Sequence, residues 1–408
     1  MINKNLNIPN YFHSEELIQI LCGLIDKNSE NPTSTEEGAA LFIQSLLKDN
    51  GIESELSYAD KGRPNLIARL KGNKPGKTLL FNGHLDVVPA GLGWSVDPFK
   101  GIVQDGKVFG RGAADMKSGL AAMIYAAIVL KKMGTPFSGE IILFFNVDEE
   151  RVNIGMQHFL KSDITAHYAV IGEPTNLDIC IAHKGVGRYK LHTKGTSQHA
   201  AKVENMDNAI NKMAAIIYEL NRLNEKISTL EDPLLGKGSL TITEIKGGIA
   251  PNMVPDHCTI EIDRRLLPAD TQESVNLEIK QSLRSTNDLS ELDYELEEYL
   301  FLPASYISKD HSLVKSLKNV KEKIQGKEAN VRVFEATCEA SFLSQHKGIP
   351  TVIVGPGSLR QAHVVDEYVE IDEVIQAAAI YIELGLQLLE NPCDKILSPK
   401  SVGSEYPD

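Results

Sequence analysis

Cysteine is scarce in this chain. Five cysteines, Cys22, Cys180, Cys258, Cys338 and Cys393, are odd in number, scattered over 408 residues and never spaced as CxxC. That argues against a disulfide scaffold and a cysteine-built zinc module, and leaves reduced, structural thiols. Basic charge is also short. A formal net charge of −13, with no basic run or stripe, excludes nucleic acid and an anionic membrane surface as expected partners. No apolar stretch approaches the roughly 20 residues that span a bilayer. The opening "MINKNLNIPNYFHSEEL" lacks the apolar core of a secretory signal, so a cytoplasmic location is expected. Internal repeats and low-complexity segments are missing as well. With 42% hydrophobic and 24% charged residues, the remainder is an ordinary globular composition suited to small-molecule chemistry.

Length and pattern divide the chain in two. At 408 residues it exceeds one hydrophobic core. Four short apolar runs, "TLLFNGHLD", "IILFFNVDEE", "HYAVIGEPT" and "TVIVGPGS", read as buried parallel strands with helical patterns between them. The clearest helix is "SGLAAMIYAAIVLKKM", Ser118 to Met133. Between these runs, "GRYKLHTKG", "GSLTITEIKGG" and "HCTIEIDRRLLP" alternate apolar and polar residues, and "NMDNAINKMAAIIYELNRL" is amphipathic. The expected fold is α/β: a doubly wound, mostly parallel sheet over residues 1–184 and 298–390, with an inserted α+β domain over 185–297. The polar tail, 391–408, is expected to be disordered.

The chemistry gathers at the strand ends. Each apolar run finishes in a residue able to bind metal: His84, the cluster Asp148, Glu149 and Glu150, Glu173, and His363 a few residues beyond the fourth. Ligand sites in open α/β sheets lie outside the carboxyl ends of the strands. In "GHLDVV" the His and Asp share one face of an extended chain, which puts Asp86 within reach of His84 as the carboxylate that orients its ring. "GRGAADMKSGL" imitates a dinucleotide-binding turn, but Asp115 stands where the third glycine would be and would repel a pyrophosphate. Asp115 reads either as a helix N-cap or as a ligand bridging two cations. Neighbouring side chains of a strand point apart, so one of Glu149 and Glu150 can bind metal while the other faces the attacking water.

Taken together, "GHLDVVP", "GRGAADMKSG", "VDEE", "GEPT", "GTSQHAA", "GGIAPNMVPD", "DRRLLP" and "GPGSLRQAH" resemble the M20 family of dinuclear zinc amidohydrolases, in the family's order and over roughly residues 14 to 390. That group includes acetylornithine deacetylase, succinyl-diaminopimelate desuccinylase, aminoacylases and carboxypeptidases of the glutamate-releasing type. The resemblance implies two Zn²⁺ ions, with Co²⁺ or Mn²⁺ able to substitute. It makes His84 and Glu173 ligands of one ion, Glu150 and His363 ligands of the other, and Asp115 the bridge. Asp86 then supports His84, Glu149 is the general base, and the peptide after Asp115 is expected to be cis.

The inserted domain resembles the family's lid and dimerisation domain, which implies a homodimer. His199 matches the histidine that reaches the partner subunit's site and stabilises the developing oxyanion. Asn252 and Arg265 match substrate contacts, the Arg pairing with a carboxylate. Arg264 is expected to be a solvated neighbour. Gly357, in the "GPGS" turn, reads either as a point of backbone approach to substrate or as a simple strand-ending turn. "TCEASF" differs from the family's usual Thr-Asp-Ala and, with "VDEY", resembles the acetylornithine deacetylase branch. The substrate implied is a small N-acyl-amino acid or short peptide. Desuccinylase, dipeptidase or carboxypeptidase activity are the alternatives, and a catalytically silent metal- or amino-acid-binding protein is the non-enzymatic one.

Overall fold

The computed structural model describes residues 10–202, 206–284 and 293–389. They form two compact units: one of the residues up to Leu177, Lys315–Ala329 and those from Gly355 on, the other of Asp178–Val314 and Asn330–Val354. The tail expected to be disordered and Cys393 lie outside the described residues. Cys22, Cys180, Cys258 and Cys338 are free thiols.

In the first unit the sheet centre is parallel. Strand Lys74–His84 runs beside Ser138–Asn146 on one flank, with His84 opposite Asn146, and beside Tyr168–Ile171 on the other. An antiparallel hairpin, Ser54–Asp60 and Arg63–Lys71, extends the sheet from the Ser138–Asn146 side. The three parallel strands read as apolar runs because both faces are covered. Phe81 packs on Tyr381 of helix Ile371–Leu389 with ring centroids 5.2 Å apart. Phe144 stacks at 4.0 Å on Phe159 of helix Ile154–Phe159. Since Phe144 is the neighbour of Asn82 in the ladder, and not of Phe81, the two helices lie on opposite faces. The fold is the mixed α/β arrangement expected.

Helix Ser118–Lys132 is buried from Ser118 to Leu130. With the turn before it, it forms the 20-residue segment Ala113–Lys132, which contains an 18-residue stretch of mean hydropathy 1.4 lying wholly inside the core. This corrects the expectation that no stretch approaches spanning length: the segment does, and it is a core helix. Its first turn fits closely against the sheet. A Cβ on Gly119 would stand 2.1 Å from the Gly172 carbonyl oxygen, so only glycine lets the helix start this near Glu173.

The second unit holds a four-stranded antiparallel sheet in the order Ser239–Gly247, His257–Leu266, Gly185–Lys194, Tyr294–Leu302. Helices Ala209–Ile227 and Gln272–Arg284 bury one face, on Tyr189, Leu191, Ile260 and Ile262. Alternation in the sequence marks that one-sided burial. Asn208 caps the first helix by accepting the N–H groups of Ile210 and Asn211. The same unit contains strand Ile179–His183, paired antiparallel with Thr351–Ile353. The fourth apolar run is thus a three-residue strand, joined to Ile179–His183 through the single pair Ile353–Cys180.

Candidate metal centre

His84 ends its strand, and Asp115 lies in the turn that opens the core helix. His84 Nδ1 is 2.9 Å from the Asp86 backbone carbonyl, which orients the ring and leaves Nε2 facing inward. Nε2 lies 3.1 Å from Asp115 Oδ1 and 3.7 Å from Glu173 Oε1. The other Asp115 oxygen, Oδ2, lies 3.4 Å from His363 Nε2, which is itself 3.2 Å from Glu150 Oε1. Each oxygen of one carboxylate thus faces a different histidine and a different glutamate. His84, Asp115 and Glu173 form one set whose ligand atoms lie within 4.8 Å of one another, and Asp115, Glu150 and His363 form a second. Glu149 joins His84 and Glu150 in a third such group. The Asp115–Met116 peptide is cis, as the resemblance implied.

The electrostatics fit a cation site. Burial opposes a charged His84, but the hydrogen bond to Asp115 and the charges of Glu173 and Glu149 outweigh it and raise its pKa well above the ordinary range. Burial likewise resists ionisation of Asp115, yet His363 and His84 hold it below the usual carboxylate range. Glu150 is pushed up by burial and by the Asp115 charge. Hydrogen bonds to Asp115 and Glu150 push His363 up to about 10. A cation among these groups would take the place of the imidazole protons, and the imidazole and carboxylate donors are those that zinc accepts. Two divalent ions would supply +4 against Asp86, Asp115, Glu149, Glu150 and Glu173, a near balance.

Asp86 does more than was expected of it. Its carboxylate is 3.7 Å from His84 Nδ1, and its oxygens accept the backbone N–H groups of Glu149 at 3.0 Å and Glu150 at 3.1 Å. The HxD pair therefore orients the imidazole through a carbonyl and the acidic turn through the carboxylate. Gly357, at φ +85°, gives its N–H to Glu373 Oε2 at 2.7 Å. Its missing side chain matters because a Cβ would meet Ala114 at 3.2 Å.

In the second unit, His199 and Asn252 are neighbours. His199 pairs with Met253 in a two-residue ladder, and the Ala200 N–H donates to the Asn252 carbonyl at 2.9 Å. Both side chains are exposed. Arg265 is half-buried, with Nε 2.8 Å from Asp263 Oδ1 and Nη1 3.4 Å from Thr337 Oγ1. Arg264 is not the solvated neighbour expected. It is 3% exposed and pairs with Asp270 and Glu278, because position 264 has the strand parity of Ile260 and Ile262 and points to the helices.

Residues 80–387 match the sequence profile of peptidase family M20/M25/M40. The chain belongs to that family. An acetylornithine deacetylase of Photorhabdus laumondii is 32% identical, covering 82% of this chain and 86% of its own. N-formyl-4-amino-5-aminomethyl-2-methylpyrimidine deformylase of Bacillus subtilis is 28% identical, covering 91% and 94%. Among solved structures, an M20 metallo-carboxypeptidase of Sulfolobus solfataricus superposes with a TM-score of 0.78 at 20% identity, covering 91% of this chain and 99% of that one. A dinuclear metal-binding M20 peptidase of Bacillus subtilis superposes at 0.67 and 17% identity, covering 92% and 98%. This M20 chain is a hydrolytic enzyme.

Two residues that hold the centre carried no recognisable signal in the sequence. Glu367 is fully buried and accepts the N–H groups of Ala114 at 2.8 Å and Asp115 at 3.0 Å, while Arg111 donates to it at 2.6 Å. Arg111 also reaches the carbonyls of Pro89, Ala90 and Val364, each at 3.2 Å. One ion pair thereby ties the loop after His84, the Asp115 turn and the segment after His363. Only the quoted "GRG" and "VDEY" pointed to these places, with no sign that they meet.

Proposed function

We propose that this enzyme hydrolyses the amide bond of N-acyl-amino acids in the manner of acetylornithine deacetylase, with Glu149 as general base. The observation that carries the reading is Asp115, whose two oxygens face separate His and Glu sets beside Glu149. His84 and Glu173 would hold one cation, Glu150 and His363 the second, and Asp115 both. Two divalent ions, zinc with cobalt or manganese as substitutes, would supply Lewis acidity that polarises the scissile carbonyl and acidifies water. Glu149 takes the proton of the attacking water and delivers it to the leaving amine. Asp86 keeps Glu149 and Glu150 at fixed stations by gripping their backbone N–H groups.

In the second unit, His199 is assigned the developing oxyanion of a partner subunit in a homodimer, and Asn252 the substrate. Arg265 is assigned the substrate carboxylate, which would compete with Asp263 for its guanidinium. The 32% identical deacetylase and the "TCEASF" and "VDEY" segments favour an acetyl group on a basic amino acid. The deformylase relative supports a small acyl group more generally.

The test is an assay of zinc-loaded protein on N-acetylornithine, N-succinyl-diaminopimelate, other N-acyl-amino acids and di- and tripeptides. Highest kcat/KM on N-acetyl substrates is expected. Turnover confined to peptides would replace deacylation with peptidase activity, and no turnover of any amide would defeat the reading.

A further inference from the structure

Asp148, first of the three adjacent carboxylates, has no part in the chemistry above, yet its carboxylate accepts four hydrogen bonds. It is 1% exposed at φ +66°, so the chain turns there in a conformation that L residues seldom adopt. Oδ1 accepts Arg63 Nη1 at 2.8 Å and Asn31 Nδ2 at 2.9 Å. Oδ2 accepts the N–H groups of Val152 and Ile154, both at 3.3 Å. Arg63 forks onto Glu36, Nε to Oε2 at 2.9 Å and Nη2 to Oε1. Glu36 Oε1 in turn accepts the Asp148 N–H at 3.2 Å. The Asn31 amide also donates to Asp86 Oδ2 at 3.0 Å, and Asp86 holds the N–H groups of Glu149 and Glu150.

The result is one continuous chain, Glu36 to Arg63 to Asp148 to Asn31 to Asp86, that ends on the backbone of the proposed base and its neighbouring ligand. Glu36, Asp148 and Asp86 are 0–1% exposed, and Arg63 is the guanidinium set among them. Buried ionic networks seldom stabilise a fold more than apolar packing would, and fixing one geometry is their better-attested use. Here the geometry fixed is a turn. Glu36 and Arg63 clamp its first residue, Asp148, from outside, while Asn31 sets the Asp86 carboxylate that clamps the next two.

We infer that Arg63 and Asn31 are positioning residues, which hold Glu149 and Glu150 in their working places through Asp148 and Asp86. The inference rests on the reading of Glu149 as base and Glu150 as ligand. Misplacing such groups costs about 10–100-fold in activity or metal affinity. A residue that merely stabilised the fold would lower the melting temperature and leave the folded fraction with normal turnover.

The experiment uses the zinc-loaded full chain and the variants Arg63→Ala, Arg63→Lys and Asn31→Ala. For each, kcat, KM, the pH profile of kcat/KM and zinc affinity by competition with a chromophoric chelator are measured on protein shown folded by circular dichroism. Arg63→Ala is expected to lower kcat about 10–100-fold with KM little changed, to shift the acid limb of the pH profile, and to weaken one of two zinc equivalents. Added guanidinium ion should restore much of the rate, since the Arg63 side chain is 15% exposed to solvent. Arg63→Lys keeps the charge without the fork and should fall between. If Arg63→Ala does not fold, Arg63→Lys and Asn31→Ala decide by the same readouts. Folded variants with wild-type kcat, pH profile and zinc affinity overturn the inference, as does a loss seen only in melting temperature. An inactive wild type defeats the functional reading instead, and the zinc titration still judges the clamp on Glu150.

Discussion

Replacing Glu367 by alanine removes the acceptor that gathers three donors at the Asp115 turn. Arg111 is 2% exposed and would lose the carboxylate partner it holds at 2.6 Å, a change that ordinarily costs about 3–5 kcal/mol when one member of a buried pair is deleted, hence about 3 kcal/mol here. The lower end applies because Arg111 keeps the carbonyls of Pro89, Ala90 and Val364 and the face of Trp94 at 5.2 Å. The N–H groups of Ala114 and Asp115 lose their acceptor as well, about 1 kcal/mol each. The sum, about 5 kcal/mol, would lower the transition of a unit of roughly 250 residues by about 10 °C. Zinc affinity should fall about 10–100-fold, since the carboxylate proposed to serve both ions hangs on that turn. Glu367→Gln separates the two contributions. Its amide oxygen can keep both backbone N–H groups while its NH₂ faces Arg111, so it should melt between wild type and Glu367→Ala and hold zinc more tightly than the alanine variant. Thermal unfolding of metal-free protein and chelator competition measure both quantities. Glu367→Ala melting within about 2 °C of wild type, with unchanged zinc affinity, would refute the reasoning.

Three further outcomes are expected. Glu149→Gln should keep its metal while turnover drops about 10²–10⁴-fold, and Glu150→Ala should lose metal by elemental analysis; an active Glu149→Gln would remove Glu149 as base, and full occupancy in Glu150→Ala would remove Glu150 as ligand. Inactive His199→Ala and inactive Glu149→Gln subunits should regain activity when mixed, and none regained despite subunit exchange would refute a role for His199 in the partner. Burial pushes His183 down to about 4, against the pull of its hydrogen bond to the Lys184 carbonyl. Its folded pKa lies below the unfolded value, so the stability present above about pH 6.5 is lost as pH falls toward 4, by about 3 kcal/mol. His183→Asn should flatten that loss in urea unfolding at pH 4.5 and 7, and an unchanged loss would refute it.

The residues that could be read from the chain alone were those whose meaning is local. His84, Glu150 and Glu173 each follow an apolar strand, and parallel strands bring their carboxyl ends to one edge, so adjacency in space follows from pattern. The alternation of His257–Leu266 was equally legible, and applied strictly it would have turned Arg264 inward with Ile260 and Ile262. Asp86 was legible in position only: that its carbonyl takes the His84 ring and its carboxylate takes two N–H groups depends on how the acidic turn folds back over it. Glu36, Arg63 and Asn31 looked like ordinary polar residues near the chain start, because their partner Asp148 is 85 to 117 positions away.

By itself, then, the sequence determined the strands, the core helix and the candidate ligands, since burial period and strand ends are properties of a few consecutive residues. Which partners hold the three adjacent carboxylates Asp148, Glu149 and Glu150 was decided only by tertiary structure. Asp148 is drawn to Arg63 while the N–H groups of Glu149 and Glu150 are drawn to Asp86. Charges pair with whichever partner the fold delivers, and partners so distant in sequence leave no local trace.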